Sequence, residues 1–582
     1  MAGQRVQPQR VQPARVHRAL AYAWIAVLSV AILGPSLWPG FALSYDLVFT
    51  PRQDLLPASI GVGSGLPRAV PQDAVVALVE TVIPGSIVEK LVLAAILILV
   101  GTGMMRLLAS TGAGVIAATV AITNPFVAQR LVIGHWGFLL AYALAPWALV
   151  VARRLRRDGD TWDGVRLLLL VAAGSLTPSG SLMLSILAVP PVLAGGSRLS
   201  PVRRVLLTAG VAAVWLPWLL PALLHPDSGS ADPDGTDVFA LRADAPGGEI
   251  LSALGGGGIW SADVVLTSRE TILSAILVIA LLGLAALGAV SLWRGGRAVV
   301  AWWALVAVIG LGAALASALV AGPWGAMIEF LPGGGLARDA HKLLGPWILL
   351  LAAAAGEGGR RVAGLAQESG ARIAIAAAIA VVPVACQPDL LWGAGGRLVA
   401  VDYPDEWSVV RETLATDARP GDVISFPWTS FRRFAWNDDR TMLDPAPRWL
   451  PRTTVVADDL MVSTPSGIVV VSGDDPRAER IGAAVVAGEP VGDLLRQLGI
   501  GWALVAKGTP GPVPELPGWA PVLSGEDLDL LVAPSGPTDP GPPRHLALVA
   551  VVDVAILAGL VAAAGALGLR RVRVRGRPRL VR

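Results

Sequence analysis

One cysteine, Cys386, occurs in 582 residues, so no intrachain disulfide can form, and neither a cysteine-based metal cluster nor a CxxC redox centre can be built. Charge is scarce as well: 15% of the residues are Asp, Glu, Lys or Arg, against 54% hydrophobic ones, and the mean hydropathy is +0.63. That balance lies outside the range of soluble domains and makes lipid the solvent for most of the chain. Lysine is nearly missing, with Lys90, Lys342 and Lys507 alone, while arginine, alanine, glycine, valine and proline abound. Such usage points to a high-GC bacterial source. Signatures of nucleotide and metal chemistry are also missing. The glycine runs 255–258 and 356–359 neither follow a strand nor carry the Lys-Ser/Thr that holds phosphates. No HExxH, no histidine pair at metal spacing and no GxSxG occurs. The net charge of +3 is not a nucleic-acid signal, because arginines crowd the short loops and tails while acids crowd the region before the last apolar run.

What is abundant is apolar sequence. Crossing a hydrocarbon core of about 30 Å takes about 20 apolar residues, fewer where helices are broken. Twelve runs qualify: 19–38, 88–107, 112–123, 138–152, 165–176, 181–194, 205–224, 271–293, 299–321, 343–356, 373–386 and 546–569. The third to sixth are short and interrupted by Asn124-Pro125, Pro178 and Pro190-Pro191. The expected fold is a polytopic α-helical membrane protein of about twelve transmembrane helices. Arginine supports the count: with the amino terminus inside, Arg5 to Arg18, Arg153 to Arg157, Arg198 to Arg204, Arg294 and Arg297, Arg360 to Arg372 and Arg570 to Arg582 all fall on the cytoplasmic side. The turn at 106–112 is the least basic of that set. A cleaved signal peptide is the alternative for the first run. That run is long and no small-x-small site directly follows it, so a retained helix is expected.

This topology, in a bacterial plasma membrane with both termini cytoplasmic, gives a basic tail (1–18), a transmembrane domain of about eleven helices (19–386) with a large first outer loop (39–87), an extracytoplasmic domain (387–545), a last transmembrane helix (546–569) and a second basic tail (570–582). Segment 387–545 holds 22 acids against 13 basic side chains. Helix-like runs (406–415, 477–487, 491–498) and strand-like runs (423–426, 467–472, 502–506) succeed one another, which predicts an α/β fold able to stand alone. Proline-rich 510–521 and 534–543 read as an extended tether.

Ionisable residues at the outer helix ends are the candidate chemistry, since charge near a bilayer is costly and tends to be kept for a use. Ser44-Tyr45-Asp46-Leu47 with Arg52 and Asp54 follows the first run. A carboxylate there can deprotonate an acceptor hydroxyl or hold a divalent cation; a solvated loop acid is the alternative. Asn124-Pro125-Phe126 through Arg130 to His135-Trp136 bridges two short runs. Arg130 can bind a phosphate bidentately and His135 can donate to a leaving oxyanion, or the segment merely anchors at the interface. Arg338-Asp339-Ala340-His341-Lys342 opens the tenth run; cations at a helix start oppose the dipole and make an anion site, interface anchoring again being the alternative. All three groups share one face, which lacks ATP and nucleotide sugars. Chemistry there needs an already activated substrate, such as a phosphate-linked lipid sugar.

Tyr45-Asp46, the Asn124-Pro125-Phe126…Arg130…Gly134-His135-Trp136 turn and Arg338-Asp339-x-His341-Lys342 resemble bacterial membrane proteins of the GT-C glycosyltransferase superfamily, in particular actinobacterial members related to the arabinofuranosyltransferases of mycobacterial cell walls. The resemblance covers roughly 19–386. It implies a polyprenyl-phosphate sugar donor, a cell-envelope glycan or lipid acceptor, and an inverting transfer whose essential carboxylate matches Asp46. Asp54 lies eight residues on, so the family's paired-acid pattern is broken and a divalent metal is not indicated. Tyr403-Pro404-x-x-Trp407, Phe426-Pro427-Trp428 and Leu498-Gly499-x-x-Trp502 are similar to the trailing domains of such proteins, where Trp407, Trp428, Trp436 and Trp449 would suit glycan stacking, although each tryptophan taken singly is expected in the core more often than as a platform. Two other readings remain open: a non-catalytic protein that binds or moves an envelope lipid or glycan, and a secondary transporter, against which speak the scarcity of mid-depth charge, Arg106 near a helix end apart, and the lack of a clear inverted repeat.

Overall fold

The computed structural model describes residues 12–575 apart from 67, 226–232, 295, 332, 465–466, 539–540 and 542. Residues 1–11 and 576–582 of the two expected basic tails lie outside the described residues. Among those described, nine helices are long and apolar enough to cross a membrane: Arg15–Leu37, Gly85–Leu107, Thr111–Val132, Trp136–Asp158, Pro201–Leu224, Ile272–Arg294, Arg297–Leu319, Ser369–Cys386 and Leu546–Arg570. The other three expected crossings fall on helices that are shorter or charged at one end. Thr161–Gly174 has 14 residues, Pro178–Leu193 is a short apolar helix, and Gly345–Ala363 ends in Glu357, Arg360 and Arg361.

Small residues let the backbones close up where the hydrophobic effect cannot drive packing. A side-chain carbon on Gly358 would lie 1.8 Å from the Leu284 carbonyl, and one on Gly288 would lie 1.9 Å from that of Ala354. Helices Ile272–Arg294 and Gly345–Ala363 therefore touch backbone to backbone, and the second is buried along most of its length. The two ends of the bundle differ in charge. At one end the basic turns meet: Arg570 pairs with Asp160 at 3.3 Å, Arg203 donates to the Gly159 carbonyl, Arg156 to that of Pro191 and Arg153 to that of Leu107. The opposite end carries the loops of the candidate site and the sheet.

That sheet has five strands in the order Ala520–Ser524, Leu528–Val532, Ile500–Ala506, Asp422–Phe426 and Thr454–Val455. The last two pairings are parallel and the first two antiparallel. Ile500–Ala506 is apolar at every position because both its faces are covered, as a central strand requires. Helices Glu406–Thr416, Pro476–Ala487 and Gly492–Gln497 match the expected helical runs. Two expectations change. The stretch 520–524 is an antiparallel edge strand, so the last two residues of the first proline-rich segment enter the sheet; and Gly467–Val471 pairs with Leu460–Thr464 in a separate hairpin.

The sheet domain is also less separable than its proline-rich exit implies. Phe41–Ala42 pairs with Ala400–Val401, the Tyr403 hydroxyl donates to the Phe49 carbonyl, and Arg411 binds Asp54 at 2.6 Å. Tyr403, Trp407 and Trp449 share one apolar core with Phe41 and Phe49. The tryptophans take the core alternative: Trp407, Trp428 and Trp449 are buried, and Trp436 stacks on Phe434 at 4.8 Å. Burying rings of this size stabilises the joint more than exposing them to a ligand would.

Candidate active site

The site begins with a helix cap. Asn124 accepts from the Val127 amide and Pro125 occupies the first helical position, which starts helix Pro125–Val132 just after a break in the apolar run. Arg130 on this helix is fully buried. Its terminal nitrogens grip Asp339 with both carboxylate oxygens engaged, one contact at 2.7 Å. The same two nitrogens donate to His135 Nδ1 at 2.6 Å and His341 Nδ1 at 2.8 Å. With Nδ1 accepting, each imidazole carries its proton on Nε2. His341 Nε2 then donates to the Gly256 carbonyl at 3.2 Å, and His135 Nε2 donates to Asp46 Oδ2 at 3.1 Å. Lys342 Nζ stands 3.5 Å from Asp339.

Asp46 is delivered by its backbone. Its amide donates to the Ile133 carbonyl and the Ser44 hydroxyl to that of Val132. The turn fits only because residue 134 is glycine: its φ is +84°, and a side-chain carbon there would lie 2.0 Å from the Leu47 amide nitrogen. The Asp46 carboxylate keeps 41% of its surface accessible, so a substrate can reach it.

Burial pushes the Asp46 carboxyl up, but the hydrogen bond from His135 and the charges of Arg448 and Lys342 outweigh it and hold it below the usual carboxylate range. Asp339 is likewise raised by burial and carried well below that range by Arg130 and Lys342. Burial, then the Arg130 charge, lowers His341 to about 3. Burial, then the Lys342 charge, lowers His135. Glu80, buried and bonded to the Gln53 amide, goes the other way: burial raises it to about 7.

These shifts predict two opposed contributions to acid stability. His341 stays neutral in the fold down to about pH 3 but protonates in the unfolded chain below about pH 6.5, so it destabilises as pH falls through that window. Glu80 is protonated in the fold below about pH 7 and ionised in the unfolded chain above about pH 4.3, so its contribution is lost as pH rises. Each is worth about 1.4 kcal/mol per pH unit in its window. His341→Gln is expected to flatten the loss of thermal stability between pH 6.5 and 4.5 and Glu80→Gln to steepen it, measured as unfolding midpoints of the detergent-solubilised protein. Equal slopes in all three proteins would contradict the assignment.

No family model matches the chain, and no curated protein matches it in sequence. The fold is similar to that of a mycobacterial arabinofuranosyltransferase. The cryo-EM structure of arabinofuranosyltransferase AftD from Mycobacteria matches at a TM-score of 0.55 and 17% identity, over 90% of this chain and 40% of that one. A mutant of AftD matches equally well over 92% and 42%. The chain thus spans about 40% of the length of AftD, and the likeness is one of fold.

Within this AftD-like fold, the network joins Asp46, Arg130, His135, Asp339, His341 and Lys342 from three separate stretches of sequence. Other predicted site residues do different work. Asn124 is the buried helix cap just described, and its amide nitrogen donates to the Val120 and Ala121 carbonyls. Trp136 is buried against Phe49 at 5.3 Å. Arg338 lies over the Phe239 ring at 4.6 Å. Tyr45 packs on Phe431. Arg52 is exposed beside Asp54, which faces the sheet domain through Arg411. Arg130 also differs from the expectation of a phosphate ligand, because both of its terminal nitrogens are already engaged. Lys342, partly exposed, is the cation of this network that keeps accessible surface. Among the described residues no three His, Cys, Asp or Glu side chains gather as a metal site.

Sequence reasoning misses a second buried layer. Asp244 pairs with Arg269 at 2.9 Å, both buried, and accepts from Gln129, the neighbour of Arg130. A side-chain carbon on Gly257 would lie 2.2 Å from Asp244, so the glycine run 255–258 is the loop that lets Asp244 and His341 approach together. The one signal in sequence is that glycine run itself, which lies between Asp244 and Arg269.

Proposed function

We propose that this chain is a membrane glycosyltransferase that moves a sugar from a polyprenyl-phosphate donor to a cell-envelope glycan or lipid acceptor at the outer face of the plasma membrane. What supports the reading is the convergence of Asp46 with His135, Arg130, Asp339, His341 and Lys342 in one network whose Asp46 carboxylate stays accessible, in a fold similar to that of a mycobacterial arabinofuranosyltransferase. In this scheme Asp46 takes the proton of the acceptor hydroxyl as its oxygen bonds to the anomeric carbon. The bond from that carbon to the phosphate oxygen breaks on the opposite side, which inverts the centre, and the lipid phosphate leaves with the electron pair. Lys342 faces the developing negative charge. His135 holds Oδ2 of Asp46, which leaves Oδ1 for the acceptor. Arg130, bound by Asp339, fixes both histidines in the required tautomer.

The twelve apolar segments act as twelve crossings in this reading, with the basic turns inside and the sheet domain outside. Purified protein in liposomes, given a radiolabelled polyprenyl-phosphate pentose or hexose and envelope extract, is expected to yield a labelled glycan or lipid, and to yield none from a nucleotide sugar. A cysteine placed at Ser535 is expected to react with an impermeant thiol reagent in intact cells. Donor binding without any transfer would favour the non-catalytic alternative, and a protected Ser535 cysteine would put the site on the wrong face.

A further inference from the structure

We propose that Arg448, contributed by the sheet domain some four hundred residues after Asp46, is a positioning residue for the transfer, holding the Asp46 loop and facing its carboxylate with a fixed positive charge. The inference rests on the glycosyltransferase reading above, and it makes the sheet domain part of the reaction centre instead of a separate docking module.

The geometry starts at the loop. Tyr45 has a φ of +46°, a left-handed conformation that costs a non-glycine residue energy and persists only where neighbours impose it. The neighbours come from the sheet domain: the Tyr45 amide donates to the Thr441 carbonyl at 2.7 Å and the Tyr45 carbonyl accepts from the Leu443 amide at 2.8 Å. The hairpin Phe431–Arg433 and Thr441–Leu443 thus clamps the residue before Asp46. A buried Arg432–Asp444 pair at 2.7 Å secures the hairpin. Asp444 also accepts from the Ala446 amide and so starts the short helix Ala446–Trp449, which Trp449 anchors by stacking on Trp407.

Arg448 projects from this anchored turn back to the loop. It donates to the Val48 carbonyl at 3.3 Å, two residues beyond Asp46, and pairs with Asp73 at 3.3 Å. Val48 in turn donates its amide to the Asp46 carbonyl. Asp46 therefore sits between a hairpin clamp at Tyr45 and an arginine clamp at Val48, both from the same domain. The charged and titratable groups facing its carboxylate are His135 from the 133–135 turn, Lys342 from Ala340–Leu344 and Arg448 from Ala446–Trp449. Lys342 shares its charge with Asp339, and Arg448 shares its own with Asp73.

The readout is the pH dependence of transfer from a labelled polyprenyl-phosphate sugar by the full chain in liposomes. Arg448→Gln is expected to move the acid limb upward by about one pH unit, since removing a nearby opposite charge raises a carboxyl by that order. Arg448→Lys is expected to restore the limb toward wild type, and Asp73→Asn, which leaves the cation in place, not to move it upward. Size-exclusion profiles identify any variant that fails to fold; Arg448→Lys keeps the test open if Arg448→Gln does. A uniform fall in rate at every pH with the limb unmoved, in a protein that Asp46→Asn inactivates, would overturn the role of Arg448 and leave the transferase reading standing. Full activity in Asp46→Asn would remove the reading and the inference together.

Discussion

Asp46→Asn is expected to lower sugar transfer by about 10²–10⁴-fold, the range lost when a general base is removed, with thermal stability close to wild type. The asparagine keeps the size of the side chain and can still accept from His135 through its amide oxygen, but it cannot take a proton. Because the Asp46 carboxylate is 41% exposed, the fold depends little on its charge. Asp54→Asn is the internal control. Its carboxylate lies in the same loop yet binds Arg411 of the sheet domain, and partly exposed pairs of this kind contribute about 0–1 kcal/mol, so transfer should stay within a few-fold of wild type. The comparison needs membranes or liposomes supplied with a labelled polyprenyl-phosphate sugar. An unchanged product in Asp46→Asn would sink the base assignment and make a lipid- or glycan-binding protein the better account.

The largest effect on stability is expected from Arg130→Met. Arg130 is fully buried and Asp339 nearly so, so removing the guanidinium strands a carboxylate with only Lys342, 3.5 Å away, to face it. Breaking one partner of a buried pair costs about 3–5 kcal/mol, whereas replacing both partners by apolar groups of similar volume is far milder. Arg130→Met is therefore expected to lower the unfolding midpoint steeply, and Arg130→Met with Asp339→Leu to recover most of that loss. The double variant should remain inactive, because His135 and His341 lose the donor that sets their tautomers. Unfolding in detergent and transfer in liposomes separate the two outcomes. A double variant no more stable than the single one would show that the pair does more than satisfy buried charge.

Much of this architecture was legible in the linear sequence because lipid imposes one strong rule: a span must be long, apolar and internally hydrogen-bonded. Each of the twelve apolar runs lies on a helix. Thr161–Gly174 and Pro178–Leu193 fall short of a full apolar span because the helices themselves are short, and Gly345–Ala363 because Glu357, Arg360 and Arg361 occupy its last turns. The sheet domain was harder to read. Ala520–Ser524 alternates weakly and follows prolines, so its strand character comes from pairing with Leu528–Val532, which no local pattern announces.

The division at the site is sharper. Costly charge at helix ends pointed to Asp46, Arg130, His135, Asp339, His341 and Lys342, since the price of placing ions beside a bilayer is visible residue by residue. The roles of these residues came from the tertiary structure: Arg130 reads as a phosphate ligand until Asp339, 209 residues away, is seen to occupy it. The same holds for Arg448, which is one of many arginines in a soluble stretch until folding sets it against Val48. By itself the sequence determined the solvent, the helices and which charges stand at their ends. Which of those charges neutralise one another and which stay accessible was decided by tertiary structure alone, because an ion's availability depends on its nearest partners and those come from distant parts of the chain.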